Sequence, residues 1–294
     1  MKMINHNGLE CILLENDLLQ ILVPKTLGPR ILSLSFRRGE NLLAELPDFV
    51  VDHPDGKQYH FYGGHRLWLT PEDPLLSYGL DDRTVDITQT DSGLLVRKAV
   101  EDETGIEKSI LIDLDPLQPR LTLTHTLTNR NRVAVEFAPW TISQFRTDGM
   151  AIIPQSGTPT GLLPNRLLSL WSYTDIVCPH LRLGNQFVFL HAQQQPPFKI
   201  GFPNPRSWLA YWLEGVLFVK KGSFDPQGHY PDNGCSSECY CNQQFLELET
   251  LGPLAQIEPG ATVTHMEIWQ LYPDLPLPEN EHIMQRIVKE IGLE

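Results

Sequence analysis

The feature that most constrains the fold is a strict alternation of apolar and polar residues between positions 121 and 128. There the sequence reads Leu-Thr-Leu-Thr-His-Thr-Leu-Thr, with threonine at every second position. A period of two puts the leucines on one face of a β-strand and the threonines on the other. His125 falls on the leucine face, which predicts a buried histidine whose hydrogen bonds are satisfied.

Further segments with strand character recur along the chain, separated by turn residues such as Asp91-Ser92-Gly93 and Glu258-Pro259-Gly260. No strand is followed by a long helical pattern, which argues against a parallel α/β sheet. Near the C-terminus, Ile283, Ile287 and Ile291 recur at the four-residue spacing of a helix stripe. We therefore predict a mostly β fold, an antiparallel array of hairpins and meanders with a short C-terminal helix.

Length and charge limit the class of protein. With 294 residues the chain can form one large β domain, and we expect residues 1–294 to be a single domain. The formal net charge of −13 repels phosphate backbones and disfavours a nucleic-acid partner. The chain has no apolar run of the roughly 18 to 20 residues that span a membrane, and no secretory signal is visible. We expect a cytoplasmic protein without a membrane partner.

The cysteine pattern favours free thiols. The chain has five cysteines, namely Cys11, Cys178, Cys235, Cys239 and Cys241. An odd number without a secretory signal is typical of a reducing compartment. The last three do not have a standard zinc spacing, and zinc would need a fourth ligand such as His229. We expect small buried residues here, no metal and no cofactor.

Several stretches rich in proline, glycine or cysteine lack a regular pattern, and we interpret them as irregular connections. They comprise residues 48–74, 154–164, 196–205 and 226–242. Long connections in a regular β domain are common places for functional sites.

The first candidate site lies in residues 61–72, which read Phe-Tyr-Gly-Gly-His-Arg-Leu-Trp-Leu-Thr-Pro-Glu. Gly63 and Gly64 permit a tight turn or a close approach to a ligand. Arg66 can hold a hydroxyl pair or a carboxylate, and Trp68 offers a face for the apolar side of a sugar ring. The alternative interpretation is a structural turn in which Arg66 pairs with one of the 36 acidic residues.

The second candidate is the strand around Glu247 and Glu249. Alternation puts both carboxylates and Phe245 on one face, with the two glutamates roughly 6 to 7 Å apart. Such like charges repel unless donors or cations lie between them, and the pair can raise one pKa into the range of a general base. The alternative is a solvent-facing edge whose charges prevent aggregation.

The third candidate is the loop that precedes this strand. It supplies Asp232, Glu238 and Asn242. The alternative interpretation is a capped turn, because Asp232-Asn233-Gly234 is strong turn chemistry.

The last third of the chain resembles the galactose-mutarotase-like superfamily, the relatives of aldose 1-epimerase with a β-supersandwich fold. The resemblance is carried by residues 245–253, 254–257, 258–260 and 265–269. Residues 63–68 also resemble an early glycine-rich segment of that superfamily. The resemblance implies an antiparallel β-supersandwich that binds a small-molecule carbohydrate.

The resemblance also implies a general base. Mutarotases carry a late Glu-Thr-Gln-like run whose glutamate is the base, and Glu249-Thr250-Leu251 matches that run. Residues 128–145 lie where mutarotases have a segment with the acid histidine, and Trp140 occupies that histidine's position. An indole donates one hydrogen bond and cannot exchange protons at neutral pH. Mutarotation needs an acid for the ring oxygen as well as a base, so another residue must supply it.

We therefore predict a sugar isomerase or epimerase with Glu249 as base and His65 as acid, and Glu238 is the second candidate for the acid. The predicted substrate-binding residues are Arg66, Trp68, Trp140, Gln144, Asp232, Glu238, Asn242 and Glu247. One alternative is a catalytically silent carbohydrate-binding protein, which Trp140 favours. Another is a lyase or hydrolase on a modified glycoside, and a metal-assisted version would need His65, His229 and Glu238 to converge.

Overall fold

A computed structural model describes residues 1–52, 56–74, 76–79, 81–193 and 196–293. The described residues of the first half form the strands β1 (Lys2–His6), β2 (Leu9–Glu15), β3 (Leu19–Pro24), β4 (Arg30–Ile31), β5 (Ser33–Phe36), β6 (Glu45–Asp52), β7 (Gln58–Gly63), β8 (His65–Thr70), β9 (Asp86–Gln89), β10 (Gly93–Arg97), β11 (Ile106–Leu114), β12 (Arg120–Asn129) and β13 (Val135–Phe145).

The second half continues the β structure and ends in a helix. Its elements are β14 (Met150–Pro154), β15 (Ser169–Leu170), β16 (Leu181–Leu183), β17 (Phe187–His191), β18 (Phe198–Phe202), β19 (Trp208–Leu213), β20 (Val216–Lys221), the one-turn segment α1 (Pro231–Gly234), β21 (Ser237–Cys241), β22 (Leu246–Leu251), β23 (Ala255–Ile257), β24 (Thr262–Tyr272) and α2 (Glu281–Glu290).

Two large antiparallel sheets form the sandwich. The back sheet has ten strands in the order β16-β17-β14-β19-β20-β24-β12-β11-β10-β9. The front sheet has the order β15-β18-β21-β22-β13-β8-β4, and β23 pairs with β13 beside it. Smaller sheets of four strands (β1-β2-β3-β5) and two strands (β6-β7) complete the architecture. The mostly β, antiparallel sandwich predicted from the alternation is confirmed.

The main core lies between the two large sheets, and the alternation explains why. Leu121, Leu123 and Leu127 of β12 are fully buried and belong to the same apolar cluster as Leu246 and Leu248 of β22. At roughly 25 cal/mol for each Å² of apolar surface removed from water, this burial is the dominant stabilising contribution. His125 is buried on the same face, as the alternation predicts.

The C-terminal helix α2 covers the outer face of the back sheet. Asn280 caps its N-terminus by accepting a hydrogen bond from the Ile283 amide. Met284, Ile287 and Val288 are buried against apolar residues of β14, β17, β19 and β20. The predicted helix and its packing role are thereby confirmed. No helix among the described residues is long and apolar enough to cross a membrane.

The stretches interpreted as irregular contain more regular structure than predicted. Residues 48–74 include most of β6 and all of β7 and β8, although residues 53–55 lie outside the described part of the chain. Residues 196–205 contain β18, and residues 226–242 contain β21. For these three stretches the prediction was wrong, because proline and glycine mark the ends of short strands rather than irregular structure throughout. Residues 155–164 contain no helix or strand, as predicted.

Candidate functional site

One face of the front sheet carries polar side chains in two rows across neighbouring strands. Lys199 of β18 lies opposite Tyr240 of β21, which lies opposite Glu247 of β22, which lies opposite Gln144 of β13. Residues that are directly opposite in a sheet project from the same face. This face points away from the back sheet, so its buried polar groups are held apart from the apolar core.

The second row runs beside the first. Glu238 of β21 lies opposite Glu249 of β22, which lies opposite Ile142 of β13, and Ile142 lies opposite Arg66 of β8. The prediction that Glu247 and Glu249 share a face with Phe245 agrees with this register. All three are buried, so the strand is not a solvent-facing edge.

A cavity of about 840 Å³ lies over this face. Its size falls in the roughly 300 to 1,000 Å³ range of small-molecule sites. The lining residues are Phe49, Val51, Asp52, Phe61, Arg66, Trp68, Pro71, Glu72, Pro74, Tyr78, Trp140, Ile142, Trp171, Tyr173, Lys199, Asp232, Tyr240, Phe245 and Glu247. Nearly half of them are aromatic, which offers flat apolar faces on several sides of the cavity.

Two glycines bring β8 close to the chain that precedes β6. Gly63 and Gly64 have φ angles of +85° and +77°. A Cβ atom on Gly63 would lie 1.9 Å from the carbonyl oxygen of Ala44, which no side chain can tolerate. The tight approach proposed from the sequence is therefore between two backbone segments, and it brings the β6-β7 hairpin over the cavity.

Among the three buried glutamates of β21 and β22, Glu247 is the one that lines the cavity. Its Oε1 accepts a hydrogen bond from Arg66 Nη2 at 3.0 Å. Burial raises the pKa of Glu247 to about 7, with Arg66 acting in the opposite direction and Glu249 adding to the rise. A carboxyl group of this pKa exists in both protonation states at neutral pH, as general acid-base chemistry requires.

Arg66 has hydrogen-bonding capacity to spare. The side chain is 1% exposed, and its Nε and Nη1 make no hydrogen bond to any described residue. Its guanidinium stacks on Trp68, 4.2 Å from the ring centroid, and lies 5.2 Å from that of Phe61. Buried N–H donors normally find acceptors. Since no described residue supplies one here, these two N–H groups are available to a ligand oxygen.

Glu249 is completely buried beneath two donors. Its Oε2 accepts hydrogen bonds from Trp140 Nε1 at 2.7 Å and from Lys199 Nζ at 3.2 Å. The other oxygen, Oε1, has no hydrogen-bond partner within the described chain. Trp140 therefore fixes the glutamate, whereas the histidine expected at this position would exchange protons.

Lys199 joins the two rows and was not identified from the sequence. Its Nζ lies 2.7 Å from Glu238 Oε2 and rests over the rings of Trp140 and Trp171, at 4.8 and 4.7 Å. Burial alone lowers the pKa of Lys199, but Glu249 and Glu238 outweigh it and raise that pKa well above its usual range. Lys199 is therefore protonated at neutral pH, and its ammonium lies at the cavity wall, where only a strong base such as an alkoxide would remove a proton.

Glu238 is also buried, on the far side of Lys199. Burial raises the pKa of Glu238 well above its ordinary value, and the carboxylates of Glu249 and Asp232 add to the rise while Lys199 opposes it. Glu238 does not contribute to the cavity lining. Its Oε2 lies against the Lys199 ammonium and fixes the position of that group.

His65 lies on the opposite face of β8 from Arg66 and Trp68, between the two large sheets. Its Nδ1 lies 2.9 Å from Ser143 Oγ, and its Nε2 lies 2.7 Å from His125 Nε2. The structure does not bring His65 together with Glu249, because adjacent strand residues project from opposite faces. A direct role as acid toward a ligand in the cavity does not fit this position.

Hydrogen bonds fix the tautomers of the two histidines. His125 Nδ1 lies 3.0 Å from the carbonyl oxygen of His265, so Nδ1–H must donate there. Burial lowers the pKa of both His65 and His125. Neutral His125 therefore accepts from His65 Nε2–H, and His65 Nδ1 accepts from Ser143 Oγ–H, which itself accepts from Lys220 Nζ at 3.2 Å.

The same buried network contains three side chains that could together bind a metal ion. Ligand atoms of His65, His125 and Glu267 lie within 4.8 Å of one another. However, the Lys220 ammonium already lies 2.9 Å from Glu267 Oε1, and the two histidines bond each other. The donor atoms are thus engaged by the protein itself. In the described chain, Cys235, Cys239 and Cys241 form no comparable group, and neither do His65, His229 and Glu238.

The remaining predicted residues have different positions. Asp232 lines the cavity, and its φ of +52°, with +64° at Asn233, matches the turn interpretation. Asn242 lies in the turn before β22, where its Oδ1 accepts from the amides of Gln244 and Phe245. Gln144 is fully buried beside the cavity, and neither side-chain polar atom has a partner among the described residues.

No family model matches the sequence, and no curated protein is found to be related to it. Solved structures do match. An Escherichia coli protein provisionally described as an aldose 1-epimerase is 14% identical over 90% of this chain and 99% of that chain, with a TM-score of 0.58. A galactose mutarotase-like protein from Lactobacillus casei is 11% identical over 89% of this chain and 100% of that chain, with a TM-score of 0.59.

A third structure extends the likeness. A Klebsiella pneumoniae protein, also provisionally described as an aldose 1-epimerase, is 12% identical over 96% of this chain and 84% of that chain, with a TM-score of 0.59. At such identities the likeness shows the fold. The chain has the β-sandwich fold of the galactose mutarotase-like and aldose 1-epimerase proteins, as the resemblance in its last third predicted.

Proposed function

We propose that the chain binds a sugar in the front-sheet cavity and catalyses its isomerisation at the anomeric carbon. The observation that carries the proposal is the pair Arg66–Glu247 at the cavity wall. It joins a carboxyl group whose pKa is about 7 to a guanidinium with two unused donors, among aromatic rings. The description of similar folds as aldose 1-epimerases supports the same class of reaction.

A sugar matches the chemistry of the lining. The apolar face of a pyranose ring packs on aromatic rings such as Trp68 and Trp140. Its hydroxyl groups present acceptors to Arg66 and donors to the carboxylates of the lining.

The reaction needs a base for the anomeric hydroxyl and an acid for the ring oxygen. Glu247 in its ionised form takes the proton of the anomeric hydroxyl, the bond from C1 to the ring oxygen breaks, and the open-chain aldehyde forms. The ring oxygen leaves with the electron pair and takes a proton from the Lys199 ammonium. Closure on the other face of the aldehyde reverses these transfers and gives the other anomer.

We assign proton transfer to Glu247 rather than to Glu249, the base implied by the sequence resemblance. Glu247 borders the cavity, whereas Glu249 lies under Trp140 and Lys199. In this proposal Glu249 is a positioning residue that holds the Lys199 ammonium against the cavity.

The second candidate function is sugar binding without turnover. It is favoured by the burial of Glu249 beneath the Trp140 indole, which occupies the place of an acid histidine and cannot protonate a ring oxygen. In that case Glu247 and Arg66 serve recognition alone.

Exchange between anomers, measured by NMR saturation transfer on neutral aldoses, separates these candidates when it is combined with calorimetry. Binding together with accelerated exchange supports the isomerase. Saturable binding without acceleration identifies the silent binding protein. If none of a panel of neutral aldoses, amino sugars, sugar acids and phosphosugars binds, both candidates are rejected.

A further inference from the structure

We propose that the ligand of this cavity is a cationic amino sugar, recognised by an acidic rim formed by Asp52, Glu72 and Asp232. This inference rests on the proposed sugar-binding function and adds the substrate class. The described residues that line the cavity include four carboxyl groups, namely the three of the rim and that of Glu247. They include only two cations, Arg66 and Lys199.

Both cations are already engaged by the protein. Arg66 is ion-paired with Glu247 at 3.0 Å and stacks on Trp68. Lys199 lies 2.7 Å from Glu238 and 3.2 Å from Glu249. A phosphate or carboxylate on the ligand would therefore meet cations whose charges buried carboxylates already balance, and it would lose hydration without gaining a free counter-charge.

The rim carboxylates have no such partners. Asp52 and Asp232 form no ion pair with any described residue, and Glu72 accepts one hydrogen bond from the Tyr78 hydroxyl at 2.8 Å. Glu72 and Asp232 lie near Lys199 and its partner Glu238. The charge of Glu72 contributes to the raised pKa of Lys199, and the charge of Asp232 contributes to the raised pKa of Glu238. The cavity mouth thus carries carboxylates that no described cation neutralises through an ion pair.

The inner wall supplies the complementary group. Arg66 is buried, borders the cavity and has unpartnered Nε and Nη1 donors. These donors fit neutral hydroxyl oxygens, since the positive charge is already balanced by Glu247. A ligand with hydroxyls toward Arg66 and an ammonium toward the rim satisfies both ends, as an amino sugar does.

Calorimetric titration with glucosamine, glucose and glucose 6-phosphate at pH 6.5 and low salt tests the inference. We expect glucosamine to bind about fivefold more tightly than glucose, the effect of a partly exposed charge pair. Glucose 6-phosphate is expected to bind more weakly than glucose. At pH 9 the sugar amine is neutral, since such groups titrate at roughly 8, and the advantage of glucosamine should vanish.

The triple variant Asp52→Asn/Glu72→Gln/Asp232→Asn, which removes all three rim charges, should bind glucosamine and glucose equally. Asp91→Asn, an exposed residue in a turn of the back sheet, controls for the general attraction of a chain with net charge −13 and should retain the preference. Equal binding of glucosamine and glucose to the unaltered protein overturns the inference and leaves the proposed function intact. The absence of binding by all three sugars counts against the proposed function itself.

Discussion

Two glutamates on one strand have different roles because their neighbours differ. Glu247 faces the open cavity and is ion-paired with Arg66. Burial raises its pKa to about 7, although Arg66 and Lys199 act in the opposite direction. Glu249, two residues later, receives both the Trp140 indole and the Lys199 ammonium. The chemistry of each carboxyl group is thus set by residues from other strands.

The Trp140 indole should stabilise the protein through its bond to Glu249. Trp140→Phe removes the donor of a buried charge-assisted hydrogen bond, and we expect a loss in the free energy of unfolding, measured in urea. Trp68→Phe is the matched control, because the Trp68 indole N–H has no partner in the described structure. We expect Trp140→Phe to cost about 1 to 2 kcal/mol more than the control, and equal costs would argue against the hydrogen bond.

The raised pKa of Glu247 has a consequence for stability. Its pKa is 4.5 in the unfolded chain and about 7 in the folded protein. A carboxyl group with such a raised pKa stabilises the fold at low pH, and this contribution is lost as the pH rises from the unfolded pKa through the folded pKa. Glu247→Gln lacks this loss. Relative to Glu247→Gln, the wild type should therefore lose about 2 kcal/mol of unfolding free energy between pH 5 and pH 8. A constant difference across this range would contradict the raised pKa.

At the level of single strands, alternation determines which side chains can meet. On β8, Arg66 and Trp68 face the cavity, while His65 and Leu67 face the back sheet. The sequence contains this pattern, yet the glycines and prolines around it indicated a loop, and the pairing of His65 with Glu249 followed from that error. By contrast, the face shared by Glu247 and Glu249 could be predicted because their strand alternates without interruption.

The alternation around Lys199 indicates a strand, but the prolines beside it led to the interpretation of an irregular connection. Phe198, Ile200 and Phe202 alternate with Lys199 and Gly201, as in a strand with one apolar face. The flanking prolines obscured the strand. The partners of the lysine on β21 and β22 could not be predicted, because they depend on the order of strands in the front sheet rather than on local pattern.

The buried network between the sheets depends on Lys220 of β20. Its ammonium lies 2.9 Å from Glu267 Oε1 and donates to the carbonyl oxygens of Leu248 and Thr141 on the front sheet. Lys220→Met would leave Glu267 buried without its cation, and we expect a loss of about 3 to 5 kcal/mol in unfolding free energy. Lys221→Met, the half-buried next residue, is the control and should change stability by less than about 1 kcal/mol. Similar losses in both variants would contradict this role.

At the level of the whole molecule, the sandwich separates two polar regions by one sheet. The inter-sheet network around Glu267 lies on one side of the front sheet, and the cavity around Glu247 lies on the other. In the inter-sheet network, the hydrogen-bond donors and acceptors pair with one another across neighbouring strands. The cavity region retains donors on Arg66 and Gln144 that have no partner among the described residues. Buried polar groups normally have partners, and these donors therefore support the proposal that a ligand binds here.

The global fold was accessible from the sequence because period-two alternation and turn residues act locally, and the resemblance in residues 245–269 agreed with them. The site was accessible in part. Glu247, Arg66, Trp68, Trp140 and Asp232 were named and do line one cavity. Which of them contact each other depends on cross-strand register over five strands, and no local pattern encodes that order.

The pH dependence of anomer exchange in wild type and in Glu247→Gln tests the central claim most directly. With Glu247 as the base, the wild-type rate for a bound aldose should rise with pH through about 7 and then level off. Glu247→Gln should be slower by about 100-fold or more and show no such rise, whereas the exposed control Glu258→Gln should match the wild type. An unchanged rate and pH profile in Glu247→Gln would contradict the account.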